Sequence, residues 1–135
     1  MPSIAVDAGP LIALFRGSDS HHDHAVAFMR RIDKPLVTNF VVISEVAALI
    51  SPSFRTAFLG WAMGALGIDK ETAADLPRII EIMDKYADLP ADFADASLVA
   101  LCERRGIREV ATLDTDFNVY RTADRKRLHN VFFAG

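Results

Sequence analysis

The sequence predicts an α/β fold with a mainly parallel sheet and helices on both faces. Short apolar, strand-like runs alternate with helical patterns along the chain, the signature of parallel strands joined by helical crossovers. Two of these runs lead directly into an acid: Ile4-Ala5-Val6 into Asp7, and Val110-Ala111-Thr112-Leu113 into Asp114. In open α/β sheets, ligands bind at the carboxyl ends of the strands, so both acids stand where a site is expected.

Residues 4–6 give the first strand, and Ala8-Gly9-Pro10 turns into a short helix to Phe15, with Pro10 suited to a first helical turn. Gly17-Ser18-Asp19-Ser20 is a break, and Ser or Asp there caps a helix through Ala25-Val26-Ala27-Phe28-Met29. Pro35-Leu36-Val37-Thr38 is a short second strand. Residues 40–50 form a helix apolar on most sides, hence buried. Ser51-Pro52-Ser53 breaks it and starts another helix, to about Leu66. Residues 72–86 form a further helix, with Leu76, Ile79, Ile80, Met83 and, just past its end, Ala87 at helical spacing. Asp88-Leu89-Pro90 is a turn, and residues 91–105 a helix that stops at Gly106. Residues 109–113 and 131–133 are the last strands.

At 135 residues, 1–135 reads as one domain with its own core. A hydrophobic fraction of 51% with 24% charged residues is that of a soluble globular protein. The net charge of −3 excludes a polycation, so nucleic-acid binding needs local basic patches. The single cysteine, Cys102, excludes an internal disulfide and a zinc-thiolate cluster. It falls in an apolar helical stretch, a core position that fits a reducing, cytoplasmic compartment. The apolar Leu11-Ile12-Ala13-Leu14-Phe15 has no basic flank and follows Asp7 and Pro10, which argues against an export signal. The longest uncharged stretch, residues 57–68, falls short of the ~20 residues of a membrane span.

Four acids sit in core-forming elements: Asp7 at a strand end, Glu45 inside the apolar helix, Asp95 at the head of Asp95-Ala96-Ser97-Leu98-Val99-Ala100-Leu101, and Asp114 at a strand end. Each has an ordinary explanation. Asp7 and Asp114 suit turns, as does Asp116. Asp95 suits a first helical turn, with Asp92 as its N-cap. Glu45 could pair with a distant Arg, although its neighbours on the helix face, Val41, Val42, Ala48 and Leu49, are all apolar. Jointly the four point to one shared partner, because unpaired buried carboxylates are costly. A hard divalent cation, Mg²⁺ or Mn²⁺, is the simplest.

The ordered set Val6-Asp7-Ala8, Ser44-Glu45, Leu89-Pro90-Ala91-Asp92-Phe93-Ala94-Asp95-Ala96 and Thr112-Leu113-Asp114-Thr115-Asp116-Phe117 resembles the PIN domain. It is closest to the VapC-type toxin ribonucleases of toxin–antitoxin pairs. The resemblance covers nearly the whole chain. It implies a Rossmann-like three-layer fold and Mg²⁺- or Mn²⁺-dependent endoribonuclease activity. It also implies an RNA substrate, a cognate antitoxin and a homodimer. Carried over by position, Asp7, Glu45 and Asp95 match the family's central acids and Asp114 the fourth, with Asp116 beside it. Thr112 matches a polar position near the site, and Asn39 lies near the pocket. The chemistry agrees: a carboxylate-held cation activates water and stabilises charge on a phosphoryl group, with no Ser–His or Cys–His pair required.

His21, His22 and His24 could suggest a transition-metal site, but an exposed helix start is the simpler account. Arg104, Arg105 and Arg108 suit a helix C-terminus. Arg121, Arg125, Lys126 and Arg127 closely follow the fourth acid and form a candidate RNA phosphate track. The apolar run of residues 57–66 is core, or else a surface for a second chain. Two other functions compete with the nuclease. A non-catalytic RNA-binding or protein-interaction module would have no reason to keep four buried acids. A phosphatase with Asp7 as nucleophile would want a second Asp at position 9, which is Gly.

Overall fold

The computed structural model describes residues 2–89 and 91–133. Pro90, placed in a turn and in the acidic motif above, lies outside the described residues.

Five parallel strands form one sheet in the order β3-β2-β1-β4-β5. The strands are β1 (Ile4–Val6), β2 (Leu36–Asn39), β3 (Leu66–Asp69), β4 (Glu109–Ala111) and β5 (His129–Asn130). Six helices complete a three-layer α/β fold: α1 (Ala8–Leu14), α2 (His22–Arg31), α3 (Phe40–Leu49), α4 (Arg55–Ala65), α5 (Thr72–Lys85) and α6 (Phe93–Arg105). No helix among the described residues is long and apolar enough to cross a membrane.

The topology decides where the site sits. From β1 the chain steps outward to β2 and β3, then returns past β1 to β4 and β5 on its other side. The strand order therefore reverses between β1 and β4, which opens a crevice at their carboxyl ends. Asp7 is the residue after β1, and Thr112 the residue after β4. The Asp7 amide donates to the Ala111 carbonyl at 2.9 Å, so the two strand ends are held side by side.

Several elements depart from expectation. Residues 66–69, of which only Leu66 was expected in an element, as a helix end, are the edge strand β3; its four residues with Gly67 are too short for a visible period. The last strand is His129–Asn130 rather than 131–133, and β4 ends at Ala111. No Ser or Asp caps α2: its N-cap is His21, while the Asp19 carboxylate accepts the His21 amide at 2.8 Å. Helix α3 buries only Val42, Ile43 and Val46, and Phe40 is 58% exposed. In α4, Phe58 and Ala62 are buried but Leu59 and Met63 face outward, Met63 at 80% exposure. Both helices thus present apolar surface that is not covered among the described residues.

Helix α5 buries Asp75, Ile79, Ile82 and Tyr86, while Leu76 and Ile80 are exposed. The buried stripe is rotated from the expected one because Asp75 is neutralised from another element. Arg104, in the last turn of α6, donates to Asp75 at 2.9 Å and to Asp69, at the end of β3, at 2.6 Å. Arg105 adds a longer contact to Asp69 at 3.3 Å, and Arg78 pairs with Glu103 at 2.8 Å. Burial alone would raise the Asp69 pKa, but the guanidinium beside it holds the carboxyl below its ordinary value. These pairs tie β3, α5 and the end of α6 together. Helix α6 then stops as expected: Gly106 takes φ +67°, and the Ile107 amide donates back to the Cys102 carbonyl at 2.9 Å. Cys102 is buried, and desolvation pushes its thiol up to about 12, so it is inert.

Candidate active site

A cleft of about 340 Å³ opens at the β1/β4 crevice, lined by Asp7, Glu45, Asp92, Asp95 and Asp114 together with Ala8, Gly9, Ile12 and Leu113. The four acids singled out in the sequence are gathered there from four elements, and Asp92 joins them. Asp116 is not in the lining; its amide donates to the Asp114 carboxylate at 2.9 Å and begins a short 3-10 turn, Thr115–Asn118.

Each acid is positioned by local chemistry. Asp7 is buried at the mouth of α1, and the Thr112 hydroxyl donates to its carboxylate at 2.8 Å. The same hydroxyl accepts the Asp114 amide at 2.9 Å. Thr112 is thus a clamp between the first and fourth acids. It is itself fixed by the Asn130 side chain, which accepts its amide at 3.3 Å and donates to its carbonyl at 3.1 Å. Asp92 caps α6, accepting the Asp95 amide at 2.8 Å. Asp92 is therefore both the helix cap that the sequence suggests and part of the wall. Glu45 projects from α3 and is only half-buried, a correction to its expected core position. Asn39 does not line the cleft. It accepts the Val42 amide at 3.0 Å as the N-cap of α3 and donates to Ser97 at 3.1 Å, bracing α3 against α6. Gly9 admits the opposite wall: a Cβ there would stand 3.1 Å from Leu113.

The site has an excess of negative charge. Among the described residues, no ion pair involves Asp7, Glu45, Asp92, Asp95 or Asp114, while the pairs present lie elsewhere. Burial, and then the charges of Asp7, Asp92 and Asp114, push Asp95 up to about 8. Asp7 is raised by burial and by its acidic neighbours, against the Ala8 amide and the Thr112 hydroxyl. Glu45 is raised by burial, Asp92 and Asp7. These are carboxylates short of a cation.

The donor set is all oxygen and anionic, which fits a hard cation. No three of the acids converge on one coordination point among the described residues. That does not conflict with Mg²⁺, which keeps several waters and takes one or two carboxylates directly. The histidines do not form a rival centre. His22 Nδ1 donates to the Ala13 carbonyl at 2.8 Å, His24 Nε2 to that of Phe132 at 2.7 Å, and the His21 ring lies against Phe133.

The basic groups lie apart from the cleft lining. Arg121 Nη1 donates to the carbonyls of Asn118, Val119 and Tyr120 at 2.8–3.0 Å, closing its own loop. Arg125, in a left-handed conformation, and Arg127 are exposed on the turn that precedes β5. The Arg108–Asp124 pair, 3.1 Å, ties this turn to the amino end of β4, opposite Asp114. Arg104, Arg105 and Arg108 are all committed to ion pairs.

The raised carboxyls predict a pH dependence. A folded-state pKa of about 8 for Asp95 means that the folded chain keeps a proton that the unfolded chain releases near about pH 4. Stability of protein in chelator should therefore fall as pH rises from about 5 to about 8, and Asp95→Asn should flatten the fall. Thermal melts across that range decide it, and a midpoint that rises with pH rejects it.

The family model described as PIN domain matches residues 4–123. The fold is similar to the crystal structure of Mycobacterium tuberculosis VapC20, described as a Sarcin-Ricin loop cleaving toxin, with TM-score 0.80 and 21% identity over 86% of this chain and 93% of that one. It is also similar to FitAcB from Neisseria gonorrhoeae, with TM-score 0.52 and 18% identity over 83% of this chain and 88% of that one. No curated protein matches the sequence.

Proposed function

The chain belongs to the PIN domain family, and from that premise we propose that it is a divalent-metal-dependent endoribonuclease, the toxin of a toxin–antitoxin pair. The observation that carries the proposal is the set of acids at the β1/β4 crevice with no cationic side chain among them. Similarity to VapC20 supports it, since that protein is described as a cleaving toxin. A binding module without chemistry would keep the strain of the cluster and gain nothing from it.

Asp7, Asp95, Glu45 and Asp114 would hold Mg²⁺ or Mn²⁺, with Asp116 near enough in sequence to assist. Bound there, the cation would supply a water activated at neutral pH and stabilise charge on the phosphoryl oxygens. The chain's own residues do the positioning. Thr112 keeps Asp7 and Asp114 at a fixed separation, and Asp92 holds the first turn of α6 and so Asp95. Ile12 and Leu113 add apolar surface to the lining. Asp95, whose carboxyl burial and its acidic neighbours push up to about 8, would have to give up its proton to serve as a ligand, so metal uptake should release protons.

The test is RNA cleavage by protein stripped with EDTA and then reloaded. Cleavage should vanish on chelation and return with Mn²⁺; stripped protein that cleaves equally well overturns the proposal. The same RNA, bound over a salt series, tests the basic turn. A strand long enough to pass the β5 edge would meet Arg125 and Arg127, with Arg121 contributing only its free nitrogens. Replacing Arg125 and Arg127 with Ala should then lower the log–log salt slope by about one unit per lost contact. An unchanged slope makes the turn an ordinary solvated surface.

We also infer that a protein partner covers the outward apolar side chains of α3 and α4, including Phe40, Leu59 and Met63. An antitoxin is the proposed occupant, and a second copy of the chain the competing one. Sedimentation of the protein alone and with its antitoxin separates them: a monomer alone that pairs with the antitoxin supports the first.

A further inference from the structure

Tyr120 is fully buried, yet among the described residues its hydroxyl has no hydrogen-bond partner. Buried hydroxyls are normally paired, because an unmet donor forfeits its solvation without return. The ring cannot easily turn away. It is packed edge-on between Phe117 and Tyr86, each at 5.1 Å between centroids. Its own amide donates to the Asp116 carbonyl at 3.3 Å, behind the turn that starts at Asp114. The neighbouring phenol of Tyr86 is satisfied, accepting the Arg121 amide at 3.0 Å. Of these two phenols, that of Tyr120 is the one left over.

The acids show the complementary shortage. Asp7 receives the Thr112 hydroxyl, Asp92 the Asp95 amide and Asp114 the Asp116 amide. Among the described residues, no hydroxyl, amide or cation donates to the carboxylate of Asp95 or of Glu45, and Asp95 shares a side-chain hydrogen bond only with the Asp92 carboxyl. Burial raises the Tyr120 pKa, and the carboxylates that add to the rise are, strongest first, Asp95, Asp114, Asp116 and Asp92. The phenol is therefore a neutral donor standing in the field of the acidic cleft, and Asp95 bears on it most.

We propose that Tyr120 is a positioning residue of the acidic site, its hydroxyl donating to the Asp95 carboxylate and orienting it toward a divalent cation. The bond is not made among the described residues, so it would form when the carboxylates hold the cation. Tyr120 is then to Asp95 what Thr112 is to Asp7. This rests on the metal-dependent reading above.

The experiment is calorimetric titration with Mn²⁺ alone of wild type, Asp95→Asn and Tyr120→Phe. Tyr120→Phe removes one oxygen and keeps the packing, so the metal-free thermal midpoint should be unchanged or raised. Its Mn²⁺ affinity should fall by about 10-fold, the scale of losing a partner that orients a ligand. With RNA, kcat should fall while KM stays near wild type. A second readout needs no variant: the tyrosine near-ultraviolet spectrum of wild type should shift on adding Mn²⁺, and that of Asp95→Asn should not. Wild type that binds Mn²⁺ alongside Tyr120→Phe of equal affinity, or a wild-type spectrum that does not move, overturns the role of Tyr120 alone. Wild type that takes up no Mn²⁺ overturns the metal reading and this inference with it.

Discussion

Asp7→Asn should reduce RNA cleavage by about 10²–10³-fold and leave the protein folded, with a thermal midpoint equal to wild type or higher. The loss follows from charge: Asp7 is the most buried of the cleft acids, 6% exposed just after the central strand, and an amide cannot replace its share of cation binding. The magnitude is that of removing one preorganised electrostatic group from a site. The retained fold follows from the same numbers. The Asp7 pKa is raised, so ionised Asp7 is a burden on the folded state and a neutral side chain relieves it. The Thr112 hydroxyl, now 2.8 Å from a carboxylate oxygen, can donate equally well to an amide oxygen. Single-turnover cleavage and a melting curve on one preparation check both halves. A folded Asp7→Asn protein that cuts within about 10-fold of wild type, a far smaller loss than removing such a group, would rule out the assignment.

Arg104→Ala should do the reverse, costing stability without touching the cleft. Its guanidinium serves two carboxylates whose side chains are only 5% and 9% exposed, Asp69 and Asp75. Removing one partner of a buried pair costs about 3–5 kcal/mol, mostly for the charge left behind. Arg104 is itself one-third exposed and Arg105 still reaches Asp69, so a loss of about 2–3 kcal/mol is expected. Denaturant unfolding with an unchanged m-value would show it. A change below about 1 kcal/mol, the level of an exposed pair, would mean that the pairs joining β3, α5 and α6 are only surface contacts.

Arg104 also shows why part of the fold could not be read in advance. The expected stripe of α5 ran through Leu76, Ile79, Ile80, Met83 and Ala87; Ile79 is buried as expected, but Leu76 and Ile80 are exposed and Asp75, which periodicity places outside, is buried. Asp75 is inside because a guanidinium 29 residues later meets it. The edge strand β3 left no signal, since four residues with a glycine cannot establish a period. Helix α3 is apolar nearly all round, which usually means burial; here the apolar residues include an outward face left open among the described residues.

What the sequence by itself determined is the alternation of strand and helix, the placing of Asp7 and Asp114 after apolar strands, the Asp92 cap and the Gly106 stop of α6. All are local, set by backbone geometry and side-chain type within a few residues. Tertiary structure alone decided which strands are neighbours, and hence that the crevice falls between β1 and β4. It decided that Thr112 bridges Asp7 and Asp114, that Arg104 is spent on Asp69 and Asp75, and that the Tyr120 hydroxyl is left without a partner among the described residues. Those facts depend on groups up to 105 residues apart. A hydrogen bond or ion pair of that span is selected by the packing of whole elements, and no short stretch of sequence encodes it.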